Sequence, residues 1–302
     1  MKKLAVGIVG YGNLGKAIEK KILADSRFKL VAVFSKRNIP NAVDVGGVLE
    51  YRDKIDCLFL CGGSQNELEK QAFALVKDFN IVDCYDNHNR LERYVKKLNV
   101  EAKKHKRIAL CSFGWDPGLF SLMRAMFDGI GLKPYTFWGK GLSQGHTQAI
   151  KNISGVKDGL QFTLPNQRER RKIEKGKIVE KSKKLHKRLC YVVADRKDPQ
   201  EIKRKIVTMP DYFAGYSTQV KFVSQKKLDE LKSFAHQGMV TTRGGVAKFS
   251  LKLKSNPDFT AAVATAYCRN ISTLKKEKRF GAFTILDLPV SGILDENKFK
   301  FL

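Results

Sequence analysis

Gly10-Tyr11-Gly12-Asn13-Leu14-Gly15 follows directly on the apolar run Leu4 to Val9 and leads into the helical stretch Lys16 to Ala24. A strand, a glycine turn and a helix start in this order predict a unit that binds the pyrophosphate of a dinucleotide. The first glycine permits the tight turn, the second lets the backbone approach the anion, and the third lets the helix pack closely on the strand. The helix N-terminus then presents free N–H groups to the anion. An ordinary βα turn is the alternative explanation of a single motif of this kind.

The end of the next predicted strand indicates which dinucleotide is bound. That strand is Leu30 to Phe34, and Ser35, Lys36 and Arg37 follow it, about 25 residues after Gly10. A chain that binds NAD carries Asp or Glu near this point for the ribose 2′-hydroxyl. A hydroxyl and two cations suit a 2′-phosphate instead, so the sequence favours NADP(H) over NAD(H). A solvated basic loop in a lysine-rich chain is the alternative.

Composition restricts the class of protein. With 302 residues and 43% hydrophobic content, the chain is long enough for two domains or one large one, with a real core. Its six cysteines form no CxxC pair, which favours reduced thiols and a cytoplasmic address. No apolar run reaches the roughly 18 residues that a membrane span needs. We therefore expect neither export nor a membrane partner.

The formal charge is +27, from 57 Lys and Arg against 30 Asp and Glu. The densest stretch, Arg168 to Arg188, holds 11 basic and 3 acidic residues and is a candidate nucleic-acid arm. It lacks interleaved aromatic residues for base stacking, and the chain carries no recognised nucleic-acid fold signature. Because lysines are spread over every segment, we favour a general lysine bias and expect no nucleic-acid partner.

Strand and helix patterns alternate through the first 117 residues. After the first unit, the predicted strands are Cys57 to Cys61, Asn80 to Cys84 and Arg107 to Ser112. The helical stripes between them are Leu68, Ala72, Leu75 and Phe79, then Leu91, Val95, Leu98 and Ala102. This alternation predicts an α/β fold with a doubly wound, Rossmann-type parallel sheet. Ligands bind at the carboxyl ends of the strands of such a sheet.

The pattern changes beyond the helix that starts near Pro117. Strand-rich segments follow at Thr136 to Lys140, Leu160 to Leu164, Leu189 to Ala194 and Thr218 to Val223. We expect a second α+β domain of mixed sheet with few helices over residues 118–256, which binds substrate and forms a dimer. A helix from Pro257 to about Lys276, with Phe259, Val263, Ala266 and Asn270 on one side, and a strand from Ala282 to Leu286 return to the first domain, which therefore comprises residues 1–117 and about 257–302.

Two carboxylates, Asp86 and Asp116, end predicted parallel strands at the expected ligand edge, and both are candidate catalytic residues. Each has a structural alternative, because Asp116 before Pro117 suits a helix cap, and Asp86 before Asn87 suits an ordinary turn. The five histidines show no spacing typical of a metal site, and hydride transfer needs no metal, so we expect none.

The motifs together resemble those of one enzyme family over nearly the whole chain. They include the glycine turn, Phe34 to Arg37, Cys84 to His88, Phe113 to Gly118, Phe137 to His146, Thr208 to Phe213 and Asn256 to Thr260. In this order they are similar to the meso-diaminopimelate dehydrogenases. The resemblance implies an NADP-dependent homodimer of bacterial lysine biosynthesis. It would convert the D-centre of meso-2,6-diaminopimelate to L-2-amino-6-oxopimelate, which cyclises to tetrahydrodipicolinate, and ammonia, reversibly.

The resemblance also implies site residues. Cofactor contacts would come from Tyr11, Gly12, Asn13, Leu14, Ser35, Lys36, Arg37, Cys61, Gly62, Gly63, Ser64, Cys84, Tyr85, Asp86, Phe113, Gly114, Trp115, Asp116 and Pro117. Substrate contacts would come from Asp86, Asp116, Trp138, Gln144, Gly145, His146, Thr147, Gln148, Thr163, Arg188, His236 and Asn256. The two acids would meet the reacting ammonium, while Arg188, Thr163 and His236 would hold the remote carboxylate. Read without the resemblance, Arg188 is one more solvated cation in a basic run.

Two departures from the family pattern stand out. The family's His-Gly-Gly reads His236-Gln237-Gly238 here, and the segment from His236 to Asn256 is a few residues shorter, which bears on substrate closure and stereochemical stringency. Lys36 replaces the more familiar arginine, which keeps the positive charge but loses the paired N–H donors with which a guanidinium binds phosphate. Two alternative functions remain open at this point: another NADP-linked dehydrogenase or reductase of an acidic metabolite, such as a dihydrodipicolinate reductase, and a non-catalytic NADP sensor or nucleic-acid-binding protein.

Overall fold

The computed structural model describes residues 3–63, 67–179, 182–195, 198–210, 212–231, 236–294 and 298–301. Its strands are β1 (Leu4–Val9), β2 (Phe28–Ser35), β3 (Val43–Asp44), β4 (Cys57–Leu60), β5 (Asn80–Asp83), β6 (Ile108–Leu110), β7 (Pro134–Trp138), β8 (Gly141–Leu142), β9 (Val156–Pro165), β10 (His186–Ala194), β11 (Ser217–Phe222), β12 (His236–Thr242), β13 (Lys248–Leu253) and β14 (Gly281–Phe283).

The α-helices are α1 (Asn13–Leu23), α2 (Leu68–Leu75), α3 (Leu91–Lys104), α4 (Leu119–Gly129), α5 (Gln144–Lys151), α6 (Gln167–Glu174), α7 (Pro199–Thr208), α8 (Gln225–Glu230), α9 (Asn256–Cys268) and α10 (Asn270–Lys276). The chain divides into two compact units: residues 1–122 with 257–302, and residues 123–256. The division therefore falls inside α4, whereas the sequence suggested a boundary at residue 117. No described helix is both long and apolar enough to cross a membrane.

The first unit contains a seven-stranded parallel sheet in the order β14-β6-β5-β4-β1-β2-β3. One apolar cluster joins this sheet to α1, α9 and α10, and a second joins it to α2 and α3. Helices on both faces explain why β4 and β5 are buried along their whole length. The predicted doubly wound sheet is confirmed.

The C-terminal part of the first unit differs from the sequence prediction. The expected single helix is two helices, α9 and α10, with Arg269 between them. Of the side predicted to carry Phe259, Val263, Ala266 and Asn270, only Asn270 is buried, whereas Ala261, Ala264 and Cys268 are fully buried. These small residues let α9 lie close to the sheet. The return of β14 to the first sheet, beside β6, is as expected.

The second unit contains two sheets. A four-stranded sheet in the order β11-β10-β9-β8 is mixed, since β10 pairs in parallel with β11 and antiparallel with β9. A separate antiparallel sheet has the order β13-β12-β7. The mixed sheet was predicted, but the second sheet was not. The expectation of few helices was also wrong, because α5 to α8 all lie between the strands of this unit.

Helices of the second unit cover its sheets through three apolar clusters. Cys190 and Val192 of β10 pack with residues of α5 and α7, whereas Leu189 and Tyr191, on the opposite face of β10, belong to a cluster with Leu228 of α8. The three-stranded sheet packs on α6. The alternation along β10 places Arg188 on the same face as Cys190, and this face carries much of the candidate site.

Candidate active site

The glycine turn has the backbone geometry that the motif requires. Gly10 has φ of +96°, a conformation that favours glycine, and its N–H donates to the carbonyl oxygen of Phe34 at 2.9 Å. A Cβ on Gly15 would overlap the carbonyl oxygen of Gly10, whereas a Cβ on Gly12 would meet no atom within 4 Å. The turn is therefore tightly closed on the protein side and open beside Gly12, where α1 begins.

The end of β2 lies against this turn. The Arg37 guanidinium donates to the carbonyl oxygen of Tyr11 at 2.7 Å, and the Arg37 N–H donates to Ser35 Oγ at 3.0 Å. Lys36 Nζ forms an ion pair of 2.9 Å with Glu67 Oε1. The structure thus brings the three residues predicted to bind a 2′-phosphate next to the glycine turn.

The remaining cofactor candidates follow β4, β5 and β6, which are neighbours in the sheet. Cys61, Gly62 and Gly63 follow β4, and Ser64 lies outside the described residues. The Cys84 thiol donates to the carbonyl oxygen of Phe113 at 3.1 Å, which links the segments after β5 and β6. Burial raises the pKa of the Cys61 thiol to about 12, so this thiol remains neutral at physiological pH.

Asp83, at the end of β5, ties the segments after β5 and β6 together. Its Oδ1 accepts from the backbone N–H of Tyr85 at 3.0 Å and of Ser112 at 2.8 Å, and its Oδ2 accepts from the Tyr94 hydroxyl at 2.6 Å. The side chain is fully buried, and burial raises the pKa of this carboxyl above its usual value. Asp83 therefore fixes the two segments that carry Asp86 and Asp116.

We expect Asp83→Leu to lower the free energy of unfolding by about 3 kcal/mol or more, because it leaves three buried donors without an acceptor at roughly 1–3 kcal/mol each. Asp83→Asn is the matched control. Its amide oxygen accepts from both N–H groups and its NH2 donates to the Tyr94 oxygen, so we expect a loss within about 1 kcal/mol. Urea denaturation measures both, and equal losses would contradict the assigned hydrogen-bonding role.

The two candidate catalytic acids lie beyond neighbouring strands. Asp86 follows β5 and is exposed, and Asp116 follows β6 and is buried. The alternative role of Asp116 as a helix cap is wrong, because α4 begins only at Leu119 and Gly118 before it has φ of +131°. A Cβ on Gly118 would overlap the carbonyl oxygen of Gly114, so the segment from Gly114 to Gly118 forms a closed loop.

In the second unit, Arg188 of β10 lies directly across from Thr163 of β9. Its guanidinium donates to Thr163 Oγ1 and stacks on the ring of Tyr216, with the guanidinium carbon 4.2 Å from the ring centroid. Gln161 Nε2 donates to the same threonine oxygen at 3.4 Å. Arg188 is only 6% exposed, so the prediction of a solvated cation from the charge run alone was wrong.

Arg188 carries a buried charge that the described parts of the chain do not neutralise. Its contacts there are with the hydroxyl of Thr163 and the side chain of Tyr216, and its Nε has no hydrogen-bond partner among the described residues. No carboxylate of the described residues is among the groups that shift its pKa. Burial lowers the pKa of the guanidinium below its usual value. A buried guanidinium of this kind is a binding site for an anion, whose oxygen atoms accept its N–H groups.

Trp138 and His186 form a second contact beside this pair. The backbone N–H of Trp138 donates to His186 Nε2 at 2.8 Å, and the indole stacks on the imidazole with ring centroids 4.7 Å apart. Burial and the nearby Arg188 lower the pKa of His186 to about 3. A Cβ on Gly139 would overlap the carbonyl oxygen of Thr163, so the backbone after Trp138 packs directly against β9.

The candidates on α5 do not all point to a ligand. His146 interacts with Ser143 Oγ at 2.7 Å, and burial and the positive charge of Arg188 lower its pKa to about 3. Thr147 Oγ1 accepts from the Gln161 N–H at 2.9 Å, and Gln148 Nε2 donates to Asn152 at 3.0 Å. The side chains of Thr147 and Gln148 therefore form hydrogen bonds within the second unit. Gln144 and Gly145 are the first residues of the helix.

The last two candidates begin secondary-structure elements. His236 is the first residue of β12 and is half-buried, and burial lowers its pKa. Asn256 is the first residue of α9. Four supporting residues were missed by sequence reasoning: Asp83, Gln161, His186 and Tyr216. Only His186 gave a signal, as one of the histidines to which no role was assigned. Among the described residues, no group of His, Cys, Asp and Glu side chains is arranged to hold a metal ion.

A Rossmann-type unit with a closed glycine turn, joined to an α+β unit whose buried arginine has no carboxylate partner among the described residues, defines a dehydrogenase that uses a nicotinamide dinucleotide. A family model described as the diaminopimelic acid dehydrogenase C-terminal domain matches residues 114–255. The meso-diaminopimelate D-dehydrogenase of Acetivibrio thermocellus is 41% identical over 96% of this chain and 93% of its own length. The chain belongs to the meso-diaminopimelate dehydrogenase family.

Solved structures agree with this assignment. Corynebacterium glutamicum DAP dehydrogenase in complex with DAP has a TM-score of 0.91 at 37% identity, covering 100% of this chain and 98% of its own. An engineered D-amino acid dehydrogenase bound to NADP+ has a TM-score of 0.88 at 36% identity, covering 99% and 98%. Similarity at this level covers nearly the whole of each chain and therefore both units.

Proposed function

We propose that the protein catalyses the reversible, NADP-dependent oxidative deamination of the D-centre of meso-2,6-diaminopimelate. The products are L-2-amino-6-oxopimelate, which cyclises to tetrahydrodipicolinate, and ammonia. The observation that carries the proposal, beside family membership, is the buried guanidinium of Arg188, which has a threonine hydroxyl beside it and no carboxylate partner among the described residues. It suits the carboxylate at the end of the substrate remote from the reacting carbon.

The first unit fits a nicotinamide dinucleotide. The open space beside Gly12 and the start of α1 suit the pyrophosphate, and Ser35, Lys36 and Arg37 suit the 2′-phosphate of NADP(H). The bound cofactor supplies the hydride acceptor in deamination and the hydride donor in the reverse direction. Cys61 to Gly63, Cys84 to Asp86 and Phe113 to Pro117 are assigned to the rest of the cofactor, since they follow the carboxyl ends of the neighbouring strands β4, β5 and β6.

Asp86 and Asp116 are assigned to the reacting amine. The amine must lose a proton before its carbon can be oxidised, and a carboxylate that holds the ammonium by a charge-assisted hydrogen bond also orients the Cα–H bond. One of these two acids, or a water that they hold, takes the proton. Water then attacks the iminium carbon of the substrate, and ammonia leaves.

The second unit is assigned to the rest of the substrate. Thr163 Oγ1 already accepts from Arg188 and Gln161, so its hydroxyl hydrogen is available to donate to a carboxylate. Arg188, Thr163 and His236 are assigned to the remote carboxylate. Trp138, Gln144, Gly145 and Asn256 are assigned to the carbon chain and the remote amine, whereas the hydrogen bonds of Thr147 and Gln148 within the unit favour a supporting role for both.

One assay tests the function. Protein, NADP+ and meso-diaminopimelate are incubated, and the absorbance of the reduced nicotinamide is followed, with the LL and DD isomers and D-lysine as comparisons. We expect turnover of the meso isomer, and its absence would contradict the proposal. Turnover of dihydrodipicolinate with NADPH instead would indicate the alternative reductase. Saturable binding to duplex DNA at physiological salt would indicate the nucleic-acid alternative.

The cofactor preference gives a further prediction. We expect Lys36→Ala and Arg37→Ala each to weaken NADP(H) binding about 10-fold or more and NAD(H) binding far less, because each charge-assisted hydrogen bond contributes roughly 1.5–3 kcal/mol. Lys29→Ala is the matched control, since Lys29 is an exposed cation near the start of β2, the strand that precedes Lys36 and Arg37. Titration of both cofactors measures the effect. Equal losses for the two cofactors would mean that the pair only adjusts the general surface potential.

We further propose a cytoplasmic homodimer that uses ammonia in the reductive direction and has no membrane or nucleic-acid partner. Support comes from the family resemblance and from the free thiols of all six cysteines. Sedimentation equilibrium is expected to give twice the 34.1 kDa chain mass, and a monomer at micromolar concentration would contradict the dimer.

A further inference from the structure

Trp138 is the last residue of β7, which is an edge strand of the three-stranded sheet. The next N–H, that of Gly139, donates to Gln237 of β12 at 2.8 Å. Because N–H groups alternate in direction along a strand, the Trp138 N–H points away from β12. An N–H on the edge of a partly buried strand needs an acceptor from outside the sheet.

His186 Nε2 is that acceptor, at 2.8 Å. An N–H group only donates, so Nε2 carries no proton and the ring holds its proton on Nδ1. The side chain is 2% exposed, and its pKa of about 3 keeps the ring neutral over the working range of an enzyme. The same ring faces the Trp138 indole at 24° between planes. One residue therefore fixes both the backbone and the side chain of Trp138.

His186 also belongs to the strand that carries the carboxylate site. His186 and Arg188 are two residues apart on β10, so both side chains lie on one face, across from Pro165 and Thr163 of β9. The imidazole thus contacts the Trp138 indole of the three-stranded sheet and lies on the same face of β10 as Arg188 in the four-stranded sheet, close enough for the Arg188 charge to lower its pKa. His186 therefore connects Trp138 to the strand that carries the carboxylate site.

We propose that His186 is a positioning residue for substrate binding, which holds the Trp138 indole in register with the Arg188 and Thr163 pair. This inference rests on the proposed function, which assigns Trp138, Arg188 and Thr163 to the substrate. The indole orientation depends on the stack with the imidazole, whereas the fold depends on the hydrogen bond to Nε2. Substrate affinity therefore depends on the aromatic face of His186, and protein stability depends on its Nε2 acceptor.

Two variants test the aromatic face and the hydrogen-bond acceptor separately. In His186→Gln, the amide oxygen replaces Nε2 as acceptor but the aromatic face is lost. We expect the melting temperature to stay near that of the wild type, the KM for meso-diaminopimelate to rise about 3- to 10-fold, and kcat to change less, as expected for the loss of one ring stack. In His186→Phe, the aromatic face is kept and the acceptor is lost. We expect a lower melting temperature and a KM within about twofold of the wild type.

A wild-type KM in His186→Gln would overturn the proposal, as would a KM rise that follows the loss of melting temperature in both variants. A double-mutant cycle provides the second check. In a Trp138→Leu background, His186→Gln is expected to add no further rise in KM, and an undiminished rise would show that His186 acts independently of Trp138.

Fluorescence tests the position of the indole without substrate. The chain has two tryptophans, so Trp115→Phe leaves Trp138 as the only reporter. Adding His186→Gln to this background is expected to shift the emission to the red and to increase quenching by acrylamide, while an unchanged spectrum would overturn the proposal. If the wild type fails to turn over meso-diaminopimelate, the proposed function is wrong, whereas the ligand-free fluorescence still decides whether His186 positions Trp138.

Discussion

Replacing Arg188 with Met is expected to weaken the apparent affinity for meso-diaminopimelate about 10- to 100-fold and to leave NADP(H) binding nearly unchanged. The guanidinium would supply a charge-assisted interaction with the remote carboxylate, which contributes roughly 1.5–3 kcal/mol, and methionine of similar length supplies none. Turnover also falls, because binding energy at the remote end orients the reacting carbon. Steady-state kinetics with meso-diaminopimelate and a cofactor titration measure the two effects.

The same substitution is expected to have the opposite effect on stability. In the absence of substrate the guanidinium is buried without a carboxylate partner among the described residues, and an apolar side chain of similar volume avoids the cost of its desolvation. We therefore expect Arg188→Met to raise the free energy of unfolding by about 1 kcal/mol or more. A substitution that weakens substrate binding but raises stability indicates that the charged residue serves ligand binding and not the fold.

Lys187→Met is the matched control for Arg188→Met. Lys187 is the adjacent cation of β10 and its side chain is exposed, so the net charge changes equally while the site is untouched. We expect its kinetics to match those of the wild type. Discrimination against D-lysine, which has no remote carboxylate, is expected to shrink in Arg188→Met only. Unchanged kinetics of Arg188→Met with meso-diaminopimelate would contradict the assignment of Arg188 to the remote carboxylate.

The first unit was largely predictable because its local signals agree with one another. The glycine turn, the apolar strand β4 and the spacing of Leu68, Ala72 and Leu75 each indicate the same parallel sheet with helices on both sides. The C-terminal helices were less predictable, since the chain breaks at Arg269 and the buried residues of α9, apart from Tyr267, are small residues and threonines. Close packing of a helix on a sheet needs small side chains, and hydrophobic periodicity does not detect them.

The second unit was less predictable because its important contacts are long-range. Arg188 lies at the end of a run of lysines and arginines, and its burial follows only from the pairing of β10 with β9. Tyr216 and His186 acquire their contacts with Arg188 and Trp138 through the arrangement of two sheets and the loop before β11. Residues of this kind carry no local pattern, so the resemblance to a family identified Arg188 while its supporting residues stayed unnoticed.

Acid is expected to unfold the second unit steeply, because His146 and His186 are both buried in the neutral form. Their pKa values are about 3 in the folded protein and about 6.5 in an unfolded chain. Between these values the unfolded state binds more protons than the folded state, so the free energy of unfolding falls as pH falls. This stability is fully present above pH 6.5. Each histidine removes about 1.4 kcal/mol per pH unit below that point, or about 5 kcal/mol for the pair at pH 4.5.

A loss of about 5 kcal/mol is as large as the total stability of many domains. Urea denaturation at pH 7.0, 6.0, 5.0 and 4.5, followed by Trp138 fluorescence in a Trp115→Phe background, reports the second unit specifically. The readout is the slope of the free energy of unfolding against pH, since the double variant His146→Gln and His186→Gln also changes packing and therefore the absolute free energy.

Removing both titrating rings is expected to remove about 2.7 kcal/mol per pH unit from that slope. Burial raises the pKa of Asp158, but its hydrogen bonds with Lys151, Gln225 and the Gly159 N–H together outweigh this effect and lower the pKa in the folded state. Asp158 therefore keeps a residual slope of the same sign in both proteins. If the double variant kept the slope of its parent, the two imidazoles would have to be solvated in the folded protein, and the buried acceptor assigned to His186 would be contradicted with them.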